Sequence, residues 1–274
     1  HTFFKQTGTA TGRLSSAEPN LQNIPIRTDL GHELRRFFIP SGPDHVLIDA
    51  DYSQIELRLL AHVAKDETMI QAFLTGEDIL TSTAAAVFGV PVSSVTGELR
   101  KRAKAVNFGI VYGIGDYSLS LDLGITKKQA GEYIQRYLHR FSAVDHYLKE
   151  TVKNAYENGY VTTIFGRRRY IPELKAQNKM TRSFGERVAM NSPIQGSAAD
   201  IIKIAMINTR RALQKENLDA RIILQVHDEL VVESARACAD RAADILRREM
   251  ENAASLAVPL SVELTTGDTW FENK

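Results

Sequence analysis

One stretch of the sequence, residues 46–58, constrains the fold and the chemistry of this chain more than any other. It begins with an apolar run over residues 46–48, which predicts a buried strand. Asp51 follows where the strand should end, and Ile55 then opens a series of apolar residues at four-residue spacing, which predicts a helix. A carboxylate at a strand end is held by rigid backbone and can still face solvent, so it suits a metal ligand. A strand-to-helix turn with a solvated aspartate is the alternative.

A second stretch strengthens the metal interpretation. Residues 222–226 and 230–232 read as two strands, and three titratable residues, 227–229, lie between them. A simple hairpin turn does not need three titratable residues. If the hairpin lies beside the first strand, Asp51 faces Asp228, and two carboxylates that close repel each other unless cations bind. A pair of hard cations held by carboxylates is the apparatus of phosphoryl transfer.

Composition limits the classes of protein that need to be considered. The chain has 43% hydrophobic and 24% charged residues, which is typical of a soluble globular protein. Its net charge of +1 does not predict a polyanionic partner, so a nucleic-acid site must come from local clusters. Its one cysteine excludes an internal disulfide, and no apolar run reaches the roughly 20 residues of a membrane span. The start at His1 rather than Met predicts a part of a longer protein.

A predicted helix over residues 97–113 carries the candidate nucleotide site. At helical spacing Arg100, Lys104, Phe108 and Tyr112 form one stripe, with cations at one end and aromatic rings at the other. Such a stripe can hold a triphosphate by the cations while the sugar and base meet the rings. A solvated basic face with core aromatics is the alternative.

Three further segments are candidates for contacts to a nucleic-acid backbone. The first 45 residues are rich in Thr, Ser, Asn, Gly and Pro and read as an ordered loop with many donors, or else as a surface loop with internal turns. Three arginines at 167–169 form a candidate phosphate patch, although an exposed charge run is the alternative. Residues 182–214 read as a long helix interrupted near Pro193, and Arg187, Asn191 and Gln195 project donors from one of its faces.

These segments together resemble the family A DNA polymerases. The residues that carry the resemblance are Asp-Tyr-Ser-Gln-Ile-Glu-Leu-Arg at 51–58, Asn-Phe-Gly-Ile-Val-Tyr-Gly at 107–113 and Val-His-Asp-Glu at 226–229, and they match the family's three polymerase motifs in order. Gly-Arg-Arg-Arg-Tyr at 166–170 and Pro-Ile-Gln-Gly-Ser-Ala-Ala-Asp at 193–200 also match. The resemblance covers essentially all of the chain.

The resemblance implies an α+β fold with the right-hand architecture of polymerases. Residues 1–58 and 177–274 would form a palm built on an antiparallel sheet, and residues 59–176 would form mainly helical fingers inserted between them. The thumb and exonuclease-like domains of the family lie upstream and would be absent from this chain. We expect a bacterial, cytoplasmic, nucleoid-associated protein with no membrane partner.

The implied reaction is DNA-templated DNA synthesis in replication and repair, in which a deoxynucleoside triphosphate is joined to a primer 3′-hydroxyl with release of pyrophosphate. Asp51, Asp228 and the Tyr52 carbonyl would bind two Mg²⁺ ions, with Glu229 beside them. Lys104 would contact the triphosphate and donate a proton to the leaving group. The resemblance assigns these positions to nucleotide binding: Gln54, Glu56, Leu80, Arg100, Lys104, Phe108 and Tyr112. Glu56 would crowd the sugar 2′ position and exclude ribonucleotides.

Primer-template DNA is the implied macromolecular partner. Its expected contacts are Arg13, Asn20, Asn23, Arg168, Arg187, Asn191, Gln195 and His227. Donor side chains suit a template copier because every base pair offers acceptors in the minor groove.

Leu80 departs from the family pattern, since the family usually has a histidine there that donates to the triphosphate. Leucine cannot donate, and a packing role is one alternative for this position. Two other functions stay open: a polymerase specialised for RNA templates or lesion bypass, and a catalytically inactive module that only binds nucleotide or DNA.

Overall fold

The computed structural model describes residues 1–24 and 29–272, and eight strands and ten helices occur within them. The strands are β1 Phe3–Lys5, β2 Ser15–Ala17, β3 His45–Tyr52, β4 Tyr160–Thr162, β5 Arg168–Tyr170, β6 Ala220–Val226, β7 Glu229–Ala235 and β8 Val262–Gly267. The helices are α1 Asp29–Leu34, α2 Ile55–Ala64, α3 Glu67–Leu74, α4 Ile79–Phe88, α5 Gly97–Val111, α6 Asp116–Leu123, α7 Lys127–Arg140, α8 Ser142–Asn158, α9 Lys179–Lys215 and α10 Ala239–Glu251. The coarse α+β prediction is therefore confirmed.

The apolar runs of the sequence assemble into one antiparallel sheet of four strands, in the order β6-β7-β3-β8. The hairpin β6–β7 lies directly beside β3, as the paired-carboxylate hypothesis requires. Residues alternate between the two faces of a strand. Leu47 and Val231 therefore share a buried cluster with Trp270, while Tyr52 faces α10 and its hydroxyl donates to the Met250 carbonyl at 2.6 Å.

The chain packs as two compact units. Unit 1 comprises His1–Ile55, Ala198–Ser255 and Leu260–Lys274, and unit 2 comprises Glu56–Ser197 and Leu256–Pro259. Unit 1 contains the four-stranded sheet and α10. Unit 2 contains α3–α8 and the β4–β5 hairpin, with α4 packed against α5 and α7. The palm and fingers divisions at residues 58/59 and 176/177 remain predictions.

The long helix differs from the prediction at both its ends and its middle. It extends over Lys179–Lys215 and runs through Pro193 without a break, although proline removes a helical hydrogen bond. Within this helix Ser192 donates to the Val188 carbonyl, and Ser197 donates to the carbonyl of Pro193 itself at 2.5 Å. Both are hydroxyl bonds to the carbonyl four residues earlier, and neither replaces the backbone bond that the proline removes.

Three smaller predictions need correction. Glu229 is the first residue of β7 rather than part of the turn, because the turn holds only His227 and Asp228. The apolar residues in the range 260–264 predict a closing strand, and the structure places that strand at Val262–Gly267. The first 45 residues contain a short hairpin of β1 and β2 in addition to the expected loops. Residues 25–28 of this predicted loop lie outside the described residues. Within the described part of the chain, no helix is long and apolar enough to span a membrane.

Candidate active site

The end of β3 and the turn between β6 and β7 bring the two predicted metal-binding aspartates to one edge of the sheet in unit 1. Asp51 is directly opposite Glu229 in the pairing of β3 with β7. The Tyr52 backbone N–H donates to the Asp228 carbonyl at 3.1 Å, so the turn is bonded to the end of β3. The sequence predicts that Asp51 faces Asp228 if the hairpin lies beside β3; the hairpin does lie there, but Glu229 is the residue opposite Asp51, and Asp228 is bonded through its carbonyl to the next residue, Tyr52.

Asp228 has a cation as its neighbour. A guanidinium nitrogen of Arg13 lies 3.7 Å from its carboxylate, and about a quarter of each side chain is exposed. Burial raises the pKa of Asp228 above its ordinary value, whereas the positive charges of Arg13 and His227 act to lower it. An aspartate in this setting is stabilised in its charged form by any additional cation.

The turn that carries Asp228 is fixed by two glutamines that the sequence analysis missed. His227 has a positive φ of 51°, a conformation that non-glycine residues adopt only when their surroundings impose it. The Gln225 side chain donates to the His227 carbonyl, and the Gln22 amide donates to the Gln225 side chain at 3.0 Å. Gln225 is 4% exposed and interrupts an apolar strand, which is the signal that identifies such a residue from sequence.

Two further residues of this edge, Glu229 and Tyr52, are buried. Glu229 is 4% exposed and accepts a 2.7 Å hydrogen bond from the indole N–H of Trp270. Burial raises the pKa of the Tyr52 phenol. The Tyr52 ring anchors the strand, and the backbone carbonyl of Tyr52 lies beside Asp51. Gln54 follows in the turn before α2, with a positive φ of 54°.

The donor set of this edge suits a hard cation. Its candidate ligands are the carboxylates of Asp51 and Asp228 and the Tyr52 carbonyl, which are all oxygen donors. Mg²⁺ is usually bound through one or two carboxylates and substrate phosphates. The described residues contain no group of three or more His, Cys, Asp or Glu side chains that could by itself hold a metal.

In unit 2, α5 presents the predicted stripe away from its buried face. Ala103, Val106 and Ile110 are buried, whereas Arg100 and Lys104 are exposed. The Lys104 ammonium lies 5.8 Å from the centre of the Phe108 ring, and Tyr112 is 40% exposed. The two rings therefore do not lie in the core as the alternative requires, whereas its solvated basic face agrees with the exposure of Arg100 and Lys104.

Arg100 is held by a partner that the sequence analysis did not identify. Its guanidinium donates two hydrogen bonds to Asp78, at 2.6 and 3.3 Å. Burial alone would raise the pKa of Asp78, but bonds from Arg100, Thr81 and the Leu80 N–H outweigh it and lower that pKa. The same contact raises the pKa of Arg100.

Leu80, the position that departs from the family pattern, is only 3% exposed and lies in the core of unit 2. Its side chain leaves almost no surface for a triphosphate, which supports the packing alternative. The neighbouring Asp78 caps α4 by accepting a bond from the Leu80 N–H at 3.1 Å. A role for Leu80 in nucleotide binding stays a prediction, and the burial of its side chain does not support that role.

Glu56 and Tyr112 form a fixed pair. The Tyr112 hydroxyl lies 3.2 and 3.1 Å from the two carboxylate oxygens of Glu56, which is 4% exposed. The pairing fixes the orientation of the carboxylate that the resemblance assigns to exclusion of ribonucleotides.

The predicted DNA contacts fall in both units. Arg187, Asn191 and Gln195 follow one another at four-residue spacing on α9 within unit 2, and the Asn191 amide nitrogen has no hydrogen-bond partner among the described residues. Arg168, on β5 of unit 2, is exposed and lies 4.8 Å from the Tyr160 ring. Unit 1 holds the other predicted contacts: Arg13, Asn20, Asn23 and His227.

The structure gives Asn20 a local role, because its side chain accepts a bond from the Gln22 N–H at 3.1 Å and caps a short 3₁₀ turn. The alternative of a loop with internal turns therefore holds at this residue. Asn23 is exposed in the same turn. Their contacts to DNA stay predictions.

One unit is built on an antiparallel sheet with carboxylates at one edge, and the other is mainly helical, which defines an α+β protein; comparison with known families specifies its class. The family model for DNA polymerase family A matches residues 1–272. The chain therefore belongs to DNA polymerase family A.

Individual relatives agree with this family assignment. Over 274 residues the chain is 56% identical to DNA polymerase I of Caldicellulosiruptor bescii and 53% identical to that of Bacillus subtilis, covering 32% and 31% of their lengths. A solved structure, the POL domain of Pol1 from M. smegmatis in complex with DNA primer-template and dNTP, matches with a TM-score of 0.96 and 47% identity. The match covers all of this chain and 48% of that one. The chain thus spans about a third of the length of these curated relatives.

Proposed function

We propose that this chain is the catalytic part of a DNA-templated DNA polymerase that transfers a nucleotide from a deoxynucleoside triphosphate to a primer 3′-hydroxyl. The observation that carries the proposal is the pairing of β3 with the β6–β7 hairpin, which brings Asp51 and Asp228 to one edge of the sheet. Family membership over residues 1–272 and the relative solved with primer-template and dNTP support it.

Asp51, Asp228 and the Tyr52 carbonyl would hold two Mg²⁺ ions. These ions, when bound, activate the primer hydroxyl and stabilise the charge that develops on the pyrophosphate. The chain itself supplies a rigid backbone frame for the two carboxylates, since the Tyr52 N–H ties the turn to β3. Arg13 is a cationic neighbour of Asp228, and we propose that it moves to the primer-template when metal and DNA bind.

The α5 stripe would bind the nucleotide. Lys104 is exposed and would meet the triphosphate, and it is the candidate proton donor to the leaving pyrophosphate. Arg100 would share its guanidinium between Asp78 and a phosphate oxygen. Phe108 would pack on the sugar, and Glu56, held by Tyr112, would oppose a 2′-hydroxyl.

The palm of this architecture, residues 1–58 and 177–274, would include all of unit 1, and the fingers, residues 59–176, would lie within unit 2, to which residues 177–197 of the palm also belong. The proposed DNA contacts are the donors of α9, the arginine on β5 and the residues around Arg13 and His227. Thumb and exonuclease-like domains would belong to the longer protein, because the relatives extend well beyond the matched region.

Template-dependent incorporation tests the proposal. The chain is mixed in excess with a labelled primer on a DNA template, Mg²⁺ and one nucleotide at a time, so that weak DNA binding does not limit the result. We expect extension only with the nucleotide complementary to the template, loss on chelation, and recovery when Mg²⁺ is restored. Binding of DNA and nucleotide without extension would show a binding module instead. Faster extension on an RNA template than on a DNA template would show the RNA-template specialisation.

A further inference from the structure

A layer of carboxylates lies under the proposed metal edge on one face of the sheet. Asp49 and Asp51 are two residues apart on β3, so they share a face, and Glu229 is opposite Asp51 on β7. Asp49 is 2% exposed and Glu229 is 4% exposed. Buried carboxylates are costly unless donors compensate them, so the groups that donate to this layer bear on its geometry.

One donor reaches both buried carboxylates. The indole N–H of Trp270 lies 2.7 Å from an oxygen of Glu229 and 3.3 Å from an oxygen of Asp49. The indole N–H does not titrate, so it donates at every pH at which the protein is folded. The shorter of the two contacts fixes one oxygen of Glu229, the residue that follows Asp228.

The indole itself is held rigidly. Trp270 is 1% exposed, and its backbone N–H donates to the Phe38 carbonyl at 3.0 Å. The Phe38 ring meets it edge to face, with centroids 5.1 Å apart, and the buried Arg35 guanidinium lies 4.0 Å from its ring centre. The donor is therefore fixed in position from more than one side.

A buried tryptophan ordinarily finds some acceptor for its N–H, and a role in packing alone is the simpler interpretation. The identity of the two acceptors argues for a role beyond packing. They are two carboxylates of the metal-bearing layer, and one of them is adjacent in sequence to Asp228 and paired with Asp51. In metal sites, groups that bond to the residues around the ligands orient them and tune metal affinity.

We propose that Trp270 is a positioning residue for Glu229, which it holds in one orientation beside Asp51 and Asp228, and that it thereby sets the affinity of this edge for divalent cations. The inference rests on the proposed function, because that function places the cations at Asp51 and Asp228. It adds Trp270, with Asp49 as the second acceptor, to the residues that support catalysis without touching the substrate.

The test compares Mn²⁺ binding, measured by electron paramagnetic resonance, in the whole chain and in Trp270→Phe. The substitution keeps an aromatic ring and removes only the N–H donor and part of the ring volume. We expect a folded variant whose Kd for Mn²⁺ is raised about tenfold. This is in the range found when a group that hydrogen-bonds to the residues of a metal site is removed. Glu229→Gln should raise the Kd similarly, and the double variant should be no worse than either single one.

The control is Leu224→Ala, which loosens the buried cluster that contains Trp270 and leaves the indole N–H and its contacts with Phe38 and Arg35 in place. It should keep the wild-type Kd, and an equal loss in this variant would show that packing alone matters and overturn the proposal. An unchanged Kd in folded Trp270→Phe would overturn it as well. Failure of the wild-type chain to bind Mn²⁺ would instead overturn the proposed metal site, so the two failures are distinguishable.

A second measurement decides the matter if Trp270→Phe does not fold. Trp270 is the one tryptophan of the chain, so the intrinsic tryptophan emission reports on this layer alone. Mg²⁺ should change that emission in the wild-type chain, at a midpoint that Glu229→Gln shifts to higher concentration. No change at saturating Mg²⁺ would show that Trp270 is not coupled to the metal edge and would overturn the proposal.

Discussion

A substitution of Lys104 tests whether α5 binds nucleotide, as proposed, or DNA. Its ammonium is exposed beside the Phe108 ring, and its role is to contact the triphosphate under the proposed function. A hydrogen bond to a charged group contributes roughly 1.5–3 kcal/mol, so Lys104→Ala should lower kcat/KM for the nucleotide by about one to two decades. Single-nucleotide kinetics measure this effect, and Kd for primer-template should stay nearly unchanged.

The matched control is Lys101→Ala, which removes an exposed cation from the same helix but off the stripe. It should leave kcat/KM close to the wild-type value. If Lys104→Ala weakens DNA binding alone, the stripe contacts a nucleic-acid backbone and the nucleotide assignment is wrong.

Glu56 should control the choice between deoxyribonucleotides and ribonucleotides. Tyr112 fixes its buried carboxylate, and such a rigid group can reject an extra hydroxyl by crowding it. Glu56→Ala should raise the relative incorporation of ribonucleotides, and Tyr112→Phe should raise it less because the carboxylate remains. Competition between matched nucleotides on one template measures the ratio, and an unchanged ratio in Glu56→Ala argues against this role.

The sequence predicts single members of these pairs better than it predicts which residues bond to each other. Helical spacing alone predicts that Arg100 and Tyr112 face one side of α5. Their partners are 22 and 56 residues away, so no local pattern predicts Asp78 or Glu56 as the bonded carboxylate. Asp49 is different, because period-two alternation from Asp51 already identifies it as a carboxylate on the same face of β3.

Among the strands, the β6–β7 pair contains an ion pair whose effect on stability depends on pH. Glu233 is opposite Arg221 and accepts bonds from it at 2.7 and 3.0 Å. Burial alone would raise the pKa of Glu233, but the bonds from Ser41 and Arg221 outweigh burial and lower it below 4.5. The unfolded chain therefore binds more protons in this range, and the stabilising effect is lost as pH falls through the folded-state pKa.

Glu233→Gln should lower the free energy of unfolding at neutral pH by roughly 1.5–3 kcal/mol, the range for hydrogen bonds to a charged group. The difference between variant and wild type should shrink as the pH is lowered below 4.5, the ordinary value for this group. Urea titrations at several pH values measure it. A difference that stays constant from pH 7 to pH 3 would contradict the lowered pKa.

The β4–β5 hairpin is the element on which the proposed DNA contact of Arg168 lies. Each phosphate that a cation neutralises adds about 0.9 to the slope of log affinity against log salt concentration. Arg168→Ala should therefore reduce that slope by roughly one and weaken binding to unrelated DNA sequences alike. Lys149→Ala is the control, since this exposed lysine already pairs with Asp145 at 2.6 Å. Equal salt slopes for both variants and the wild type would show that Arg168 does not contact the DNA.

Elements were predicted well where periodicity is strong and poorly where a proline suggested a break or where a strand is very short. The apolar runs predict β3 and the β6–β7 hairpin because buried strands need continuous apolar residues. The helix α9 continues through Pro193, so the interruption predicted from the proline was wrong. The first hairpin, β1 with β2, has strands of three residues each, too short for alternation to show.

For the molecule as a whole, the chemistry is divided between a sheet that holds carboxylates and a helical unit that holds cations and rings. The sequence predicts both sets of residues because each has its own local motif. The support behind them, such as Trp270 under Glu229 and Gln22 behind the turn, comes from residues distant in the chain and has no motif. The proposed function therefore depends most on whether Asp51 and Asp228 form a catalytic metal site.

The measurement that tests this claim most directly is single-turnover incorporation of one correct nucleotide with Mg²⁺, by the chain in excess over primer-template, in the wild type and in Asp228→Asn. Metal ions contribute several kcal/mol to such a reaction, so the variant should lose at least about two decades in rate while its fold and DNA binding persist. Asp219→Asn, the same change at an aspartate whose side chain is 77% exposed, should keep the wild-type rate. A wild-type rate in Asp228→Asn would contradict the account.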